Sequence, residues 1–451
     1  MAERLTFIHA ADLHIGAPFR GLRALSERWA SRLVEAIPEA YERVVSAAID
    51  NRVDFVVIAG DIFDTARPSY ADYLTFFDGL SRLDAEGIPV YMCTGNHDPY
   101  TTWQRDLFNL PGNVTMFSAD KPSFALYRRD GKPVCVLGGR GYYNQTWPGD
   151  ACIAEGVTRA AANEALGEDV ASAPFGIGVI HTGLDLDPNK APVAPAKLLR
   201  AGFDYWALGH VHKRLIYTED NPRLAFSGCI QGRDIKETGP RGVNLVTLEE
   251  GRRNVVEFIP TASVVWQRMK VDISECVTVP DVSDLVTREL FRVNGKAHCG
   301  EMCTRIVLCG TTPLHEVLKR PRLVDDLRNQ INDSHPEFFC DALIDKTRRP
   351  FDREAARREG MFPAVFLGVA ESMREDEVGE AAFLQDEFLK SNVALPSALV
   401  QSIPTLAEEA QDLVIDLLCG GDDELVPSCS TLRWKASARF PARLSAPSDP
   451  I

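Results

Sequence analysis

Five apolar runs in the first 260 residues each give way to a short polar cluster, and this repeated punctuation constrains the fold more than any bulk property of the chain. Asp12-Leu13-His14 follows Leu5–Ala10, and Gly60-Asp61-Ile62-Phe63-Asp64 follows Asp54–Ala59. Gly95-Asn96-His97-Asp98 closes Ile88–Thr94, His181-Thr182-Gly183 closes Gly176–His181, and Gly209-His210-Val211-His212 follows Tyr205–Leu208. The runs are short and rich in β-branched residues, which predicts buried strands. In an open sheet of parallel strands, ligands bind beyond the carboxyl ends. Clusters leaving five such strands therefore converge on one site.

Around these strands the pattern predicts a further strand at Pro133–Gly138 and helices at Leu25–Asn51 and Tyr70–Glu86, with Pro38 marking a break or kink in the first. After Arg214 only short strands follow: Leu215–Thr218, Arg223–Phe226, Val243–Leu248 and Val255–Ile259. Strand–helix units succeeded by hairpins imply an α/β fold with sheets covered by helices on the outside. A length of 451 residues accommodates two or three domains. The expected division is a first domain over 1–262 and a small α/β domain over 263–349, with strands at Val264–Ile273, Thr304–Leu308 and near Phe338–Ile344 and helices at Val282–Val293 and His315–Ile331. Residues 350–425 read as a basic linker (Pro350 to Pro363) and C-terminal helices at Val378–Leu389 and Leu406–Leu418, and 426–451 as a disordered tail.

The longest apolar runs, such as Val56–Ala59 and Ala364–Ala370, are strand-sized, far short of the ~20 residues of a membrane span. The amino terminus lacks a signal-peptide pattern. Eleven scattered cysteines suit reduced thiols. The expectation is a soluble, cytoplasmic protein with no membrane partner. A net charge of −15 argues against a nucleic-acid partner, but its distribution weakens the argument. Between Glu371 and Glu424 there are 14 acidic and 2 basic residues, so much of the excess lies far from the clusters.

The clusters mix carboxylates with imidazoles, a donor set for Mn²⁺, Fe²⁺ or Zn²⁺ rather than Ca²⁺ or a thiolate site. Seven candidate ligands, Asp12, His14, Asp61, Asn96, His181, His210 and His212, exceed what one ion takes. Two ions about 3.5–4 Å apart and bridged by one carboxylate would use them all, and such a pair suits in-line attack on phosphorus. His97 stands where it can protonate a leaving oxygen, with Asp98 expected to orient it. His9 lies on a strand outside the clusters and reads as a core residue.

Taken in order, Asp-x-His, Gly-Asp-x-x-Asp, Gly-Asn-His-Asp, His and Gly-His-x-His resemble the signature of the calcineurin-like metallophosphoesterases. Within that superfamily, His9-Ala-Ala-Asp-Leu-His-Ile-Gly-Ala-Pro-Phe-Arg20 and Gly60-Asp-Ile-Phe-Asp-Thr65 are similar to the SbcD-type DNA repair nucleases, in a YhaO-like bacterial branch. The resemblance covers residues 1 to about 230. It implies a four-layer α/β/β/α sandwich with a small α/β cap contacting DNA, two manganese ions and a catalytic His97. One ion would take Asp12, His14, Asp61 and His212, the other Asp61, Asn96, His181 and His210, with Asp61 bridging. It also implies docking of the C-terminal helices on an SbcC-like ATPase, and it admits a homodimer. Thr94 and Thr65-Ala66 stand where phosphoprotein phosphatases of the superfamily carry phosphate-clamping arginines, which lowers the phosphatase reading.

The first expectation is therefore a manganese-dependent DNA exonuclease subunit of a repair complex. The alternatives are a nucleotide or small-molecule phosphodiesterase or phosphatase, and a scaffold subunit, which the complete ligand set disfavours. Three weaker signals accompany these. His298-Cys299-x-x-x-Cys303 is half a zinc motif and reads as buried thiols. The basic run from Lys346 to Arg358 suits DNA phosphates or a salt-bridged linker equally. Gly138-Gly-Arg-Gly-Tyr-Tyr143 reads as a glycine-rich strand exit.

Overall fold

The computed structural model describes residues from 3 to 414, with gaps at 20–24, 104–108, 150, 168–169, 171, 219, 298 and 376 and through much of 352–361 and 391–412. The first half of the chain runs β1 (Arg4–Ala10), α1 (Glu27–Asp50), β2 (Phe55–Ala59), α2 (Tyr70–Ala85), β3 (Val90–Cys93) and β4 (Val114–Met116). Next come β5 (Ser123–Arg129), β6 (Lys132–Arg140), α3 (Arg159–Leu166), β7 (Phe175–His181), α4 (Pro195–Leu199) and β8 (Tyr205–Gly209). The short strands β9 (Leu215–Tyr217), β10 (Leu224–Phe226), β11 (Gly242–Glu249) and β12 (Val255–Pro260) complete this part. Two six-stranded sheets result, in the orders β12-β11-β1-β2-β3-β4 and β5-β6-β7-β8-β10-β9. Each has a parallel centre, β1 to β4 in one and β6-β7-β8-β10 in the other, so the carboxyl ends of β1, β2 and β3 lie at one edge of the first sheet and those of β7 and β8 at one edge of the second.

Strand alternation explains why the sheets stack. Neighbouring side chains leave a strand on opposite faces, and here both faces are apolar. Phe7, Phe55, Val57 and Cys93 meet Leu137, Ile177, Val179 and Ala207 between the sheets. Their neighbours Ile8, Val56, Ile58 and Met92 point outward and bury Leu33, Ile37 and Val44 of α1 and Phe76 and Leu80 of α2. On the far side Ile180, Trp206 and Leu208 pack on Leu198 and Phe203, and Val136 packs on Ala162. The order is α/β/β/α, the four layers expected. α1 continues through Pro38, where a break or kink was expected. Ala36, Ile37, Ala40 and Tyr41 are buried on either side of it, which offsets the one lost backbone hydrogen bond. Strands β4 and β5 escape the sequence pattern because their residues are mostly half-buried rather than alternating.

A third sheet, β13-β14-β15, is built from β13 (Val264–Asp272), β14 (Glu301–Thr311) and β15 (Phe338–Arg348), with α5 (Val279–Ala297), α6 (His315–Leu318) and α7 (Leu323–Ser334) between them. Its own core joins Val282, Val286, Leu327 and Ile331 to Val271, Ile306, Leu308 and Phe338. Trp266, Cys303 and Phe339 belong instead to the core around α1, where Phe339 stacks on Trp29 at 5.7 Å between centroids. The single helix expected over His315–Ile331 is two. Pro321 lacks an N–H and restricts the residue before it, and Arg322 then turns left-handed at φ 69°.

Residues 1–347 cluster as one compact unit and 348–451 as another. The second unit contains α8 (Phe362–Glu375) and α9 (Glu377–Lys390). The expected helix Val378–Leu389 corresponds to α9. The apolar run Ala364–Ala370, strand-sized in the sequence, is helical here, with Leu367 buried and Val365 and Val369 exposed. Most of Leu406–Leu418, most of the basic linker and the whole of 426–451 lie outside the described residues. Among the described residues no helix is long and apolar enough to cross a membrane.

Candidate metal centre

The chain leaves its strands under backbone strain. Asp12, His14 and Asp61 have left-handed φ angles of 51°, 48° and 51°, and His210 has 102°. Such conformations cost free energy in residues with a Cβ and persist only where the surroundings enforce them. Here the loops hold one another. Asp12 N–H donates to the Gly60 carbonyl at 3.1 Å, His14 N–H to the Asp61 carbonyl at 3.1 Å, and His210 N–H to the Asp12 carboxylate at 3.0 Å. Two glycines of the motifs are there because nothing larger fits. A Cβ on Gly95 would sit 2.1 Å from Asp61 Oδ1, and one on Gly209 would sit 1.9 Å from the Ala59 carbonyl.

These loops bring the expected seven residues into two adjoining groups. Asp12, His14 and His212 present ligand atoms within 4.8 Å of one another, and so do Asp61, His181 and His210. Asn96 joins the second group, its Oδ1 lying 3.2 Å from His181 Nε2. Asp61 stands between the groups, with Oδ2 at 3.3 Å from His181 Nε2 and 3.9 Å from His14 Nε2. Asp12, His14, Asp61, Asn96 and His181 are buried, while His210 and His212 are half-buried at the rim. His9 stays out of the cluster, bonded to the Tyr205 hydroxyl and the Leu208 carbonyl.

The donor chemistry fits a bound cation. His14 Nε2 and His212 Nε2 face each other at 3.0 Å, an arrangement two neutral acceptors tolerate only around a shared proton or a metal ion. His181 Nδ1 lies 2.9 Å from the Ala59 carbonyl, which accepts a hydrogen bond only if that nitrogen carries the proton. Nε2 is thereby left to face Asp61 and Asn96. Burial, joined by the neighbouring Asp61 charge and opposed by His212 and His181, raises the Asp12 carboxyl above the usual carboxylate range. For Asp61, burial acts in the same direction, but His181 and His14 hold it well below that range. His181 in turn, despite burial, is carried up to about 9 by the Asp61 carboxylate.

His97 is half-buried beside the first group, its ring 4.9 Å from that of His14 between centroids. Its Nδ1 bonds to the Asp64 backbone carbonyl at 2.8 Å, and its N–H donates to Asp61 Oδ1 at 2.9 Å. The expectation that Asp98 orients this ring is corrected. Asp98 is turned inward and accepts from Gly95 N–H at 2.8 Å and Ile62 N–H at 3.0 Å, tying the second and third loops together. Burial, with Asp61 nearby, pushes Asp98 up to about 8.

Glu237, Arg233 and Asp187, which lie outside every motif, stand behind the candidate ligands together with Asp64 of the second cluster. Glu237 Oε1 accepts from His212 Nδ1 at 2.5 Å. Arg233 donates to Glu237 Oε1 at 3.3 Å and to Asp64 Oδ1 at 2.6 Å. Asp64 Oδ1 lies 3.1 Å from His14 Nδ1, off the line of a hydrogen bond. Asp187 Oδ2 lies 3.2 Å from His210 Nε2. Glu237 is drawn well below the usual carboxylate range: burial opposes this, but His212 and Arg233 outweigh it. Arg233 and Glu237 sit in the loop between β10 and β11, where no strand end or motif marks them. Of the weaker signals, Arg140 spends its guanidinium on the Asp120 carbonyl and the Trp147 ring, and Cys303 is buried. His298 and most of the basic run after Lys346 lie outside the described residues.

Comparison with known proteins agrees with this geometry. Residues 5–214 match the calcineurin-like phosphoesterase family, and residues 266–348 match the middle domain of metallophosphoesterase YhaO. The uncharacterized metallophosphoesterase YhaO of Bacillus subtilis is 33% identical over 316 residues, 69% of this chain and 74% of that protein. The DNA double-strand break repair protein Mre11 of Thermoplasma acidophilum is 26% identical over 256 residues, covering 54% of this chain and 62% of its own. The Mre11 protein of Methanosarcina acetivorans is 27% identical over 302 residues, 60% of this chain and 41% of its own.

Proposed function

We propose that this chain, which belongs to the calcineurin-like metallophosphoesterase family and carries a YhaO-type middle domain, is a DNA exonuclease working on two divalent metal ions, most naturally Mn²⁺. The family makes it a metal-dependent phosphoesterase. The observation that carries the finer reading is the pair of ligand groups joined through Asp61, with His97 at their edge. Bound there, two ions would supply Lewis acidity to the phosphoryl oxygens and acidify the attacking water. The chain's own part is to hold and to protonate. Asp12, His14 and His212 would hold one ion and Asn96, His181 and His210 the other, with Asp61 placed to serve both. The attacking water adds to phosphorus, losing a proton to solvent, as the P–O bond to the leaving strand breaks. His97, its Nδ1–H fixed on the Asp64 carbonyl, gives the proton on Nε2 to the departing oxygen.

Similarity to proteins named for double-strand break repair supports DNA as the substrate. The motif resemblance to SbcD-type nucleases extends this reading to an SbcC-like ATPase as partner, with α9 as part of its docking region. Thr94 donates to the Tyr142 carbonyl and is fully buried, so it offers a substrate phosphate nothing in the position where phosphatases hold an arginine. The test is hydrolysis of end-labelled duplex and single-stranded DNA beside bis-p-nitrophenyl phosphate, with and without Mn²⁺ and with Asp61→Ala for comparison. Metal-dependent shortening of DNA that the variant lacks is the expected result. Turnover of the small diester with DNA left intact, with the ATPase present as well as absent, would contradict the nuclease reading and favour a small-molecule phosphodiesterase.

A further inference from the structure

Two open grooves share Glu237 in their linings, and they differ in charge. One, of about 690 Å³, is lined by His212, Lys213, Arg214, Lys236, Arg241 and Phe258, and Glu237 is the lone carboxylate facing its four cations. The other, of about 510 Å³, leads from Asp64 and Arg233 to Arg305 and Asp341 of the third sheet, and there four carboxylates face two arginines. Both open beside the candidate metal centre, yet a polyanion is drawn into the first and repelled from the second.

The cations of the first groove fall into two kinds. Arg241 is buried and gives its guanidinium to the carbonyls of His212, Glu237 and Thr238, so it builds the floor. Arg214 donates to Asn244 Oδ1 at 2.7 Å and to the Val256 carbonyl at 3.1 Å, and lies over the half-buried Phe258 ring at 5.5 Å. Lys213 and Lys236 are exposed at the walls, each one residue along the chain from a member of the His212–Glu237 pair. Ammonium groups so placed bind phosphates as point charges, without reading sequence.

We propose that this groove carries the sugar–phosphate backbone of the nucleic-acid strand flanking the bond to be cut, with Lys213 and Lys236 each neutralising one phosphate. The proposal rests on the reading of the chain as a DNA nuclease and deepens it. A small diester ends at the metal centre, whereas a polymer must continue somewhere, and the groove beside His212 is where the charge permits it to.

The test measures binding without cleavage. The full-length protein in EDTA is titrated against a fluorescent single-stranded oligonucleotide, by anisotropy, across a range of salt concentrations. Lys213→Glu with Lys236→Glu is expected to weaken binding about tenfold or more and to flatten the log–log salt dependence by about 1.4, the value for two phosphates on a single strand. Arg305→Gln, in the acidic groove, is expected to shift affinity by about twofold at most. The milder Lys236→Gln, with thermal melts of every variant, separates lost binding from lost folding. A folded double variant that keeps wild-type affinity and salt slope overturns the groove alone. Arg305→Gln weakening binding as much as the lysine pair does the same. A wild-type chain that hydrolyses bis-p-nitrophenyl phosphate yet binds no oligonucleotide, with the ATPase present as well as absent, overturns the DNA reading and the groove together.

Discussion

The two halves of the metal centre are supported by different means. Behind the Asp12, His14 and His212 group stand side chains: Glu237 on His212, Asp64 beside His14, and Arg233 reaching both carboxylates. Behind the Asp61, His181 and His210 group stand mostly main chain and rim. The Ala59 carbonyl takes His181, and Asp187, about one-third exposed, takes His210. A ligand set by backbone keeps its tautomer whatever the neighbouring side chains become. One set by a carboxylate depends on that carboxylate and on whatever holds it. Single substitutions should therefore divide the two halves unequally.

The largest effect is expected where the halves meet. Asp61→Ala removes the shared carboxylate together with the acceptor for His97 N–H, and elemental analysis of the purified variant should find neither ion retained. Retention of one or both would mean the halves are independent. His97→Ala comes next. Metal content should stay at the wild-type level while hydrolysis of the diester falls by about 10²–10⁴-fold, the range for losing a general acid. Unchanged turnover would remove His97 from the mechanism. Glu237→Ala should weaken one of the two manganese sites about 10- to 100-fold in calorimetry and leave the other as it was. Equal weakening of both would erase the distinction between the halves. Asp187→Asn, at the exposed rim, should alter affinity at the other site only about threefold or less.

These expectations rest on residues that differ in how readily the sequence discloses them. All seven candidate ligands and His97 are legible because each occupies a strand exit, where Asp, His, Asn and Gly recur in short motifs. The four layers follow from the same strands, since Phe7 and Ile8, or Val56 and Val57, are apolar on both faces. Glu237, Arg233 and Asp187 are not legible, because they lie in loops and reach the centre only through tertiary folding. Asp98 belongs to a motif, yet adjacency to His97 misleads about its role. Its side chain turns into the core while the imidazole turns out. The break between α6 and α7 was visible as Pro321, but the apolar spacing on either side masks it.

A pH experiment sharpens the comparison in a further way. With Asp61 beside it, His181 in the metal-free chain keeps its proton up to about 9. A cation entering near neutral pH must expel that proton, whereas the ionised Asp61 carboxylate releases none. Manganese affinity should therefore rise with pH and level off near 9, and calorimetry in buffers of different ionisation enthalpy should detect about one proton released from this half. Affinity independent of pH between 6 and 9 would contradict the pairing of His181 with Asp61.

The most direct test is anomalous diffraction at the manganese edge from crystals of the full-length protein grown with Mn²⁺. Two peaks about 3.5–4 Å apart, one beside Asp12, His14 and His212 and the other beside Asn96, His181 and His210, with the Asp61 carboxylate between them, are the predicted result. A single peak, or peaks away from Asp61, would contradict the account of a carboxylate-bridged dinuclear centre.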